Sequence, residues 1–496
     1  MRLLYDLAIR LFVSGMHLAA FFHPKARLWV KGRSNWRERY RFPEREGTRA
    51  KLLWVHAASL GEFEQGRPVI ESFREQHPDG RILLTFFSPS GYEIRKNYPY
   101  ADLVCYLPAD TRRNAADFMD LFQPDAAIFV KYEFWGNYLF ELKKRGIPTL
   151  LVSALFREKQ PFFKWYGGFW RKMLGCFTHF FVQNEVSANL LRGIGFQNAT
   201  VAGDTRVDRV INIASQVTEN EVVARFCAPQ PPHEAEAIGS AHLIAAAPRN
   251  LCSDGFSHDF GGAAHRYGCV SVRCTSEIRV CSHYKSFDAL HLLEPIASAL
   301  MGGPGGASAF IVGSSWEADE NILLPVFETP DFQEIKIIIA PHEPSEANVL
   351  RLCGQLKDVL RYSQAATNLS DSTVLSDEYG SKWLVIDNVG MLNQLYRYGS
   401  IAYIGGGFGK GIHNTLEPAA FGLPIIFGPK YEKFEEARQF VARGGAFPVH
   451  NSEELAVVLK KLQDPVFYQQ ASEAVRGYLE ESRGATKLVM VFLNRL

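Results

Sequence analysis

From Lys51 onward the chain repeats one theme: an apolar run of about five residues without polar alternation, then roughly ten to fifteen residues at helical spacing. In the first half the runs are LLWVH, ILLTFF, LVCYL, AAIFV, TLLVS and HFFVQ. A strand that is apolar on both faces must be covered on both, so such runs belong in a parallel sheet sandwiched between helices. The theme stops near Cys227 and restarts at Ala309 with AFIVG. It continues through IKIIIAP, WLVID, IAYIGGG and LPIIFGP and closes with helices from Ser452 to Leu496. At 496 residues the chain exceeds what one core holds. The expected fold is α/β: two doubly wound, Rossmann-like domains, 26–210 and 309–496, facing a cleft, with function in the loops at the carboxyl ends of the strands.

The chain start differs from this pattern. Between Met1 and Arg45 ten Lys and Arg face three acids, a local excess of +7 in a chain whose net charge is only +1. That near-neutral total gives no general pull toward nucleic acid. The apolar stretch LFVSGMHLAAFF is about a dozen residues long and is preceded by Asp6 and Arg10, too short and too charged for a spanning helix. Residues 1–25 therefore read as a membrane-associated helix at an anionic lipid surface, or more plainly as an amphipathic helix packed on its own domain. On the first reading, removing Met1 to Phe22 frees the protein from membranes and leaves turnover on a detergent-dispersed acceptor intact.

Residues 227–308 hold five of the eight Cys and six of the fourteen His but none of the strand–helix alternation. No pair of spacings there closes a four-ligand zinc set. The stretch reads as an atypical insertion or an out-of-frame passage, dispensable in either case. Cys105, Cys176 and Cys353, scattered in apolar surroundings, read as reduced core residues.

The richest motif is IAYIGGGFGKGIHNTLEPAAFGLPIIFGP. Its glycines let a ligand approach the backbone, a helix expected from about His413 offers N–H groups to a phosphate, and Asn414 and Glu417 share one face of the first turn. This combination points to a nucleotide-sugar site. HAASLGE (56–62), YEFWGN (132–137), QNE (183–185), VAGDTRVD (201–208), GSSWEADE (313–320) and HNTLEPAA (413–420) together resemble, in the same order, motifs of the 3-deoxy-D-manno-octulosonic acid (Kdo) transferase family.

The resemblance implies a GT-B fold, CMP-Kdo as donor, a lipid A precursor as acceptor, inversion at the anomeric carbon and no metal or cofactor. It also implies work at the cytoplasmic face of the inner membrane of a Gram-negative bacterium. Carried over residue by residue, it makes Glu62 the general base, Glu133 its supporting acid and Arg206 a cation for the phosphate or the developing charge. The same resemblance assigns CMP-Kdo contacts to Ser314, Ser315, Pro341, His342, Val389, Gly390, Met391, Gly411, Asn414, Thr415, Leu416 and Glu417. Three positions depart from the family: Lys131 replaces the first acid of a Glu-x-Glu pair, His342 an Arg, and Arg206 a Lys. The rival readings are a UDP-sugar transferase or epimerase of the same fold, and a non-catalytic, membrane-peripheral relative.

Overall fold

The computed structural model describes residues 1–42, 50–216, 219–228, 309–368 and 381–496. Apart from Cys227, which closes the helix Glu221–Cys227, and Ala228, the atypical segment lies outside the described residues.

Two seven-stranded parallel sheets form the frame. The first comprises β1 (Leu52–Ala57), β2 (Arg81–Phe86), β3 (Leu103–Tyr106), β4 (Ala126–Val130), β5 (Thr149–Ala154), β6 (His179–Val182) and β7 (Ala199–Val201). Their spatial order is β3-β2-β1-β4-β5-β6-β7. In the second, β8 (Ala309–Ser315), β9 (Ile337–Pro341), β10 (Val359–Arg361), β11 (Trp383–Val385), β12 (Gly399–Ile404), β13 (Ile425–Phe427) and β14 (Ala446–Pro448) run in the order β10-β11-β9-β8-β12-β13-β14. β1 is buried along its whole length, as the unbroken apolar run requires.

Strand order fixes where ligands can enter. In the first sheet the chain winds outward from β1 through β2 and β3, then returns to lay β4 on β1's other side. The second sheet repeats the manoeuvre about β8, with β9 on one side and β12 on the other. At each reversal the connecting helices diverge to opposite faces and leave a crevice at the carboxyl ends of the strands. Those crevices lie past Ala57 and Val130 in one sheet and past Ser315 and Ile404 in the other.

The domains are interleaved more than the sequence pattern implied. The last helix, Ala485–Leu493, expected with the second domain, instead buries Ala485, Val489, Met490 and Leu493 in the core that backs β1 and β2. Asp208 caps that helix, its carboxylate accepting from the amides of Gly484 at 2.5 Å and Thr486 at 2.7 Å. Conversely, the helix Thr205–Ser215 places Val207 and Val210 in the second domain's core. The N-terminal helix, Arg2–Ala19, buries no residue, and among the described residues no helix is long and apolar enough to cross a membrane.

Candidate active site

Glu62 occupies the first turn of the helix Leu60–Gln76, immediately beyond β1. The Ser59 hydroxyl donates to its Oε2 at 2.6 Å. Burial, and then the negative charge of Glu133, push the Glu62 carboxyl above its ordinary range despite that hydrogen bond. Glu133 reaches the same crevice from the end of β4 and is buried. The Trp135 indole N–H donates to its Oε2 at 2.6 Å, and His56 Nε2 lies 3.3 Å from the same oxygen. His56 itself is locked by strand register: it pairs with Thr85 of β2, whose hydroxyl lies 2.8 Å from Nδ1. His56 and Trp135 are contacts of the Glu133 carboxylate that sequence reasoning passed over. Their signal was a polar ring inside an apolar strand run and an indole two residues after the acid.

Lys131, at the tip of β4, adopts a left-handed backbone (φ 64°), a strain that non-glycine residues tolerate where tertiary structure enforces it. Burial lowers its ammonium pKa, and neighbouring Arg206 lowers it further.

Arg206 differs from its expected role. Rather than a free cation, it is held by two carboxylates: Nη2 lies 2.7 Å from Asp204 Oδ2 and 3.0 Å from Glu436 Oε1 of the helix Glu435–Arg443. Burial disfavours the charge, but Asp204 and Glu436 outweigh burial and raise the pKa beyond the ordinary arginine value. Asp204 is further fixed by Gln65 Nε2 at 2.8 Å. Arg206 is thus a tie between the two domains.

In the second domain the glycine loop after β12 folds back against the end of β8. A Cβ on Gly405 would stand 2.2 Å from the Ser314 carbonyl oxygen, so only glycine allows this approach. Asp319 stitches the loop down, accepting from the Gly406 amide at 2.8 Å and the Tyr403 hydroxyl at 3.0 Å. Ser314 has a positive φ of 54°, and the buried Ser315 donates its hydroxyl to Glu320 at 2.9 Å. Pro341 ends β9 and is buried, and the ring of His342 after it stacks with those of Trp316 (4.6 Å) and His413 (4.2 Å). Trp316 also donates its N–H to His413 Nε2 at 3.1 Å. Burial, helped by His342, drops the His413 pKa to about 4, so its ring is neutral at neutral pH. Trp316 and His413 lay inside quoted motifs, yet nothing in their spacing revealed the stack.

The helix expected from His413 begins at Leu416 and is one turn long, ending at Ala419. Asn414 folds over its start: Oδ1 accepts from the Leu416 amide at 3.1 Å while Nδ2 donates to Glu417 Oε1 at 3.0 Å. Burial raises the Glu417 pKa. Leu416 is core, and the Thr415 hydroxyl beside it is buried without a hydrogen-bond partner among the described residues. Gly411 adopts φ 138° against the Phe434 ring. Beyond β11, Val389 is highly exposed, Gly390 takes φ 98°, and Met391 Sδ accepts from Asn388 Nδ2 at 2.8 Å.

Comparison with known proteins bears on the fold and the family. Residues 34–209 match the family model described as 3-Deoxy-D-manno-octulosonic-acid transferase (kdotransferase). The 3-deoxy-D-manno-octulosonic acid transferase of Aquifex aeolicus (strain VF5) is 24% identical over 441 residues, spanning 87% of this chain and 92% of that protein. The protein of the same name from Rickettsia bellii (strain RML369-C) is 24% identical over 454 residues, spanning 90% of this chain and 86% of its own length. Among solved structures, a UDP-GlcNAc 2-epimerase from Neisseria meningitidis bound to UDP-GlcNAc covers 90% of this chain at a TM-score of 0.50 and 14% identity. That likeness concerns the fold alone. With that family's model matched in the first half and alignment along most of both relatives, the chain is similar to the 3-deoxy-D-manno-octulosonic acid transferases.

Proposed function

We propose that the protein transfers Kdo from CMP-Kdo to a lipid A precursor (lipid IVA) in lipopolysaccharide core biosynthesis, with inversion at the anomeric carbon. The observation that carries this reading is the placement of two acids, Glu62 and Glu133, at the switch point of one sheet, with the glycine loop and Asn414–Glu417 at that of the other. Glu62 takes the proton from the acceptor hydroxyl as its oxygen bonds to the anomeric carbon, and the bond to the CMP phosphate oxygen breaks. Its raised pKa makes it a stronger proton acceptor than an ordinary glutamate. Glu133, held by Trp135 and His56, keeps that pKa high. Lys131 supplies positive charge beside the departing phosphate, and Arg206, held by Asp204 and Glu436, ties the two domains around it.

The CMP moiety is read by Ser314, Ser315, Pro341, His342, Val389 to Met391, Gly411 and Asn414 to Glu417. The exposed leucines of the N-terminal helix, Leu3, Leu4, Leu7, Leu11 and Leu18, with Phe21 and Phe22, suit peripheral attachment to the cytoplasmic face of a Gram-negative inner membrane, where the lipid acceptor resides. The direct test incubates the protein with CMP-Kdo and a tetraacylated lipid A precursor and weighs the product. A mass increase of whole Kdo units supports the proposal. An unchanged acceptor, together with protection by a uridine nucleotide instead of CMP, would overturn it.

A further inference from the structure

The helix Gly136–Lys144, which follows the Glu133 loop, begins with a residue that cannot cap it. Its N-cap is Trp135, whose side chain makes no cap hydrogen bond and points at Glu133 instead. The first amides of any helix need outside acceptors. Here they come from elsewhere in the chain. Tyr5 of the N-terminal helix accepts from the Gly136 amide at 3.0 Å and donates to Asp110 Oδ2 at 2.5 Å. Asp110, buried, accepts from the Asn137 and Tyr138 amides at 3.2 and 3.1 Å. Asp6 adds a bond from Asn137 Nδ2 at 3.0 Å.

A second line of contact runs from the same helix through aromatic rings. Phe12 stacks on Phe87 at 6.1 Å between centroids, and Phe87 lies 4.7 Å from Trp135. Arg33 fixes Phe87 from behind, donating to its carbonyl oxygen at 2.8 Å. Trp135 then reaches Glu133 and His56. Both lines start on a helix that buries no residue completely, Tyr5 packing at the margin of the first domain's core and Phe12 lying exposed. The first ends on the amides of Gly136 to Tyr138, just after the acid, and the second on Trp135, which donates to it.

We propose that Tyr5 and Phe12 are positioning residues: through the Gly136 amide and the Phe87–Trp135 contact, the N-terminal helix sets the Glu133 carboxylate beside Glu62. This inference rests on the Kdo-transfer reading for its rate measurement. It reverses the expectation that the helix can be removed without loss of turnover.

The experiment uses the full chain with CMP-Kdo and a detergent-dispersed acceptor, so that membrane attachment plays no part. Tyr5→Phe and Phe12→Leu should each lower kcat about 10- to 100-fold, the scale of a small misplacement of a reacting group, with KM for CMP-Kdo unchanged. The acid limb of the rate profile should also move to lower pH, because a displaced Glu133 no longer raises Glu62. Ser14→Asn, at an exposed position of the same helix, should change neither. Wild-type kcat in both variants, a loss of kcat with an unmoved acid limb, or an equal loss in Ser14→Asn would each overturn the proposal. If Tyr5→Phe fails to fold, Phe12→Leu decides, since it alters only a partly exposed ring. If the wild type moves no Kdo, the reaction reading falls, and amide exchange across 132–138 then judges the coupling. Faster exchange in Tyr5→Phe keeps it, and unchanged exchange removes it.

Discussion

Glu62 shows what a single position can and cannot disclose. A glutamate following Gly61 at the junction of strand and helix is readable as a base because the chemistry asks for a carboxylate at a strand end. What raises its pKa, the burial and the neighbouring Glu133, comes from a residue 71 positions away and emerges only in the fold. Glu62→Gln should lower kcat about 10²–10⁴-fold while CMP still binds, measured by product mass and calorimetry. The base works deprotonated and its pKa is raised, so wild-type turnover should fall as pH drops through a limb above the ordinary glutamate range. Arg206 is the opposite case. Its charge was legible, but Glu436, 230 residues later, was not identifiable as its partner. Asn414→Ala should weaken CMP binding by about 0.5–1.5 kcal/mol, since Asn414 both caps Leu416 and steadies Glu417. Unchanged affinity in a titration would place the nucleotide elsewhere.

Among elements, eleven of the fourteen strands in the described residues were visible as apolar runs, and the missing three, β7, β10 and β14, are three residues each and lie at sheet edges. Edge strands are covered on fewer sides and need no continuous apolar run, so the pattern that reveals a central strand is absent there. The one-turn helix Leu416–Ala419 was misplaced by three residues for a related reason: the Asn414 side chain imitates the cap of a longer helix. The final helix was legible as a helix but not in its address. Its apolar face says only that it must be covered, not by which domain. Met490→Ala tests that address. Met490 is almost fully buried against the first domain, so the substitution should cost about 2–5 kcal/mol and lower the urea midpoint of that domain's unfolding. An unchanged midpoint would mean the helix is loosely attached.

At the scale of the whole molecule, the ion pairs of Arg206 with Asp204 and Glu436 join the end of the first domain to the helix Glu435–Arg443 of the second, beside the apolar packing of Val207 and Val210. Glu436→Gln leaves Asp204 as the sole carboxylate on Arg206 and should loosen the approach of the domains. The expected result is a larger radius of gyration in small-angle scattering without CMP and a lower melting temperature. No change in either would show that packing around Val207 and Val210 suffices to hold the cleft. The crossing of the last helix to the first domain has a further consequence for synthesis. A ribosome releases the chain from its amino end, so the first sheet is complete in sequence long before Ala485–Leu493 emerges. Until then the surface that receives Val489 and Met490 stays bare, and a nascent chain carries an open apolar flank while the second domain is made. Completion of the amino-terminal half therefore waits for the helix Ala485–Leu493, and loss of that helix damages the half made first.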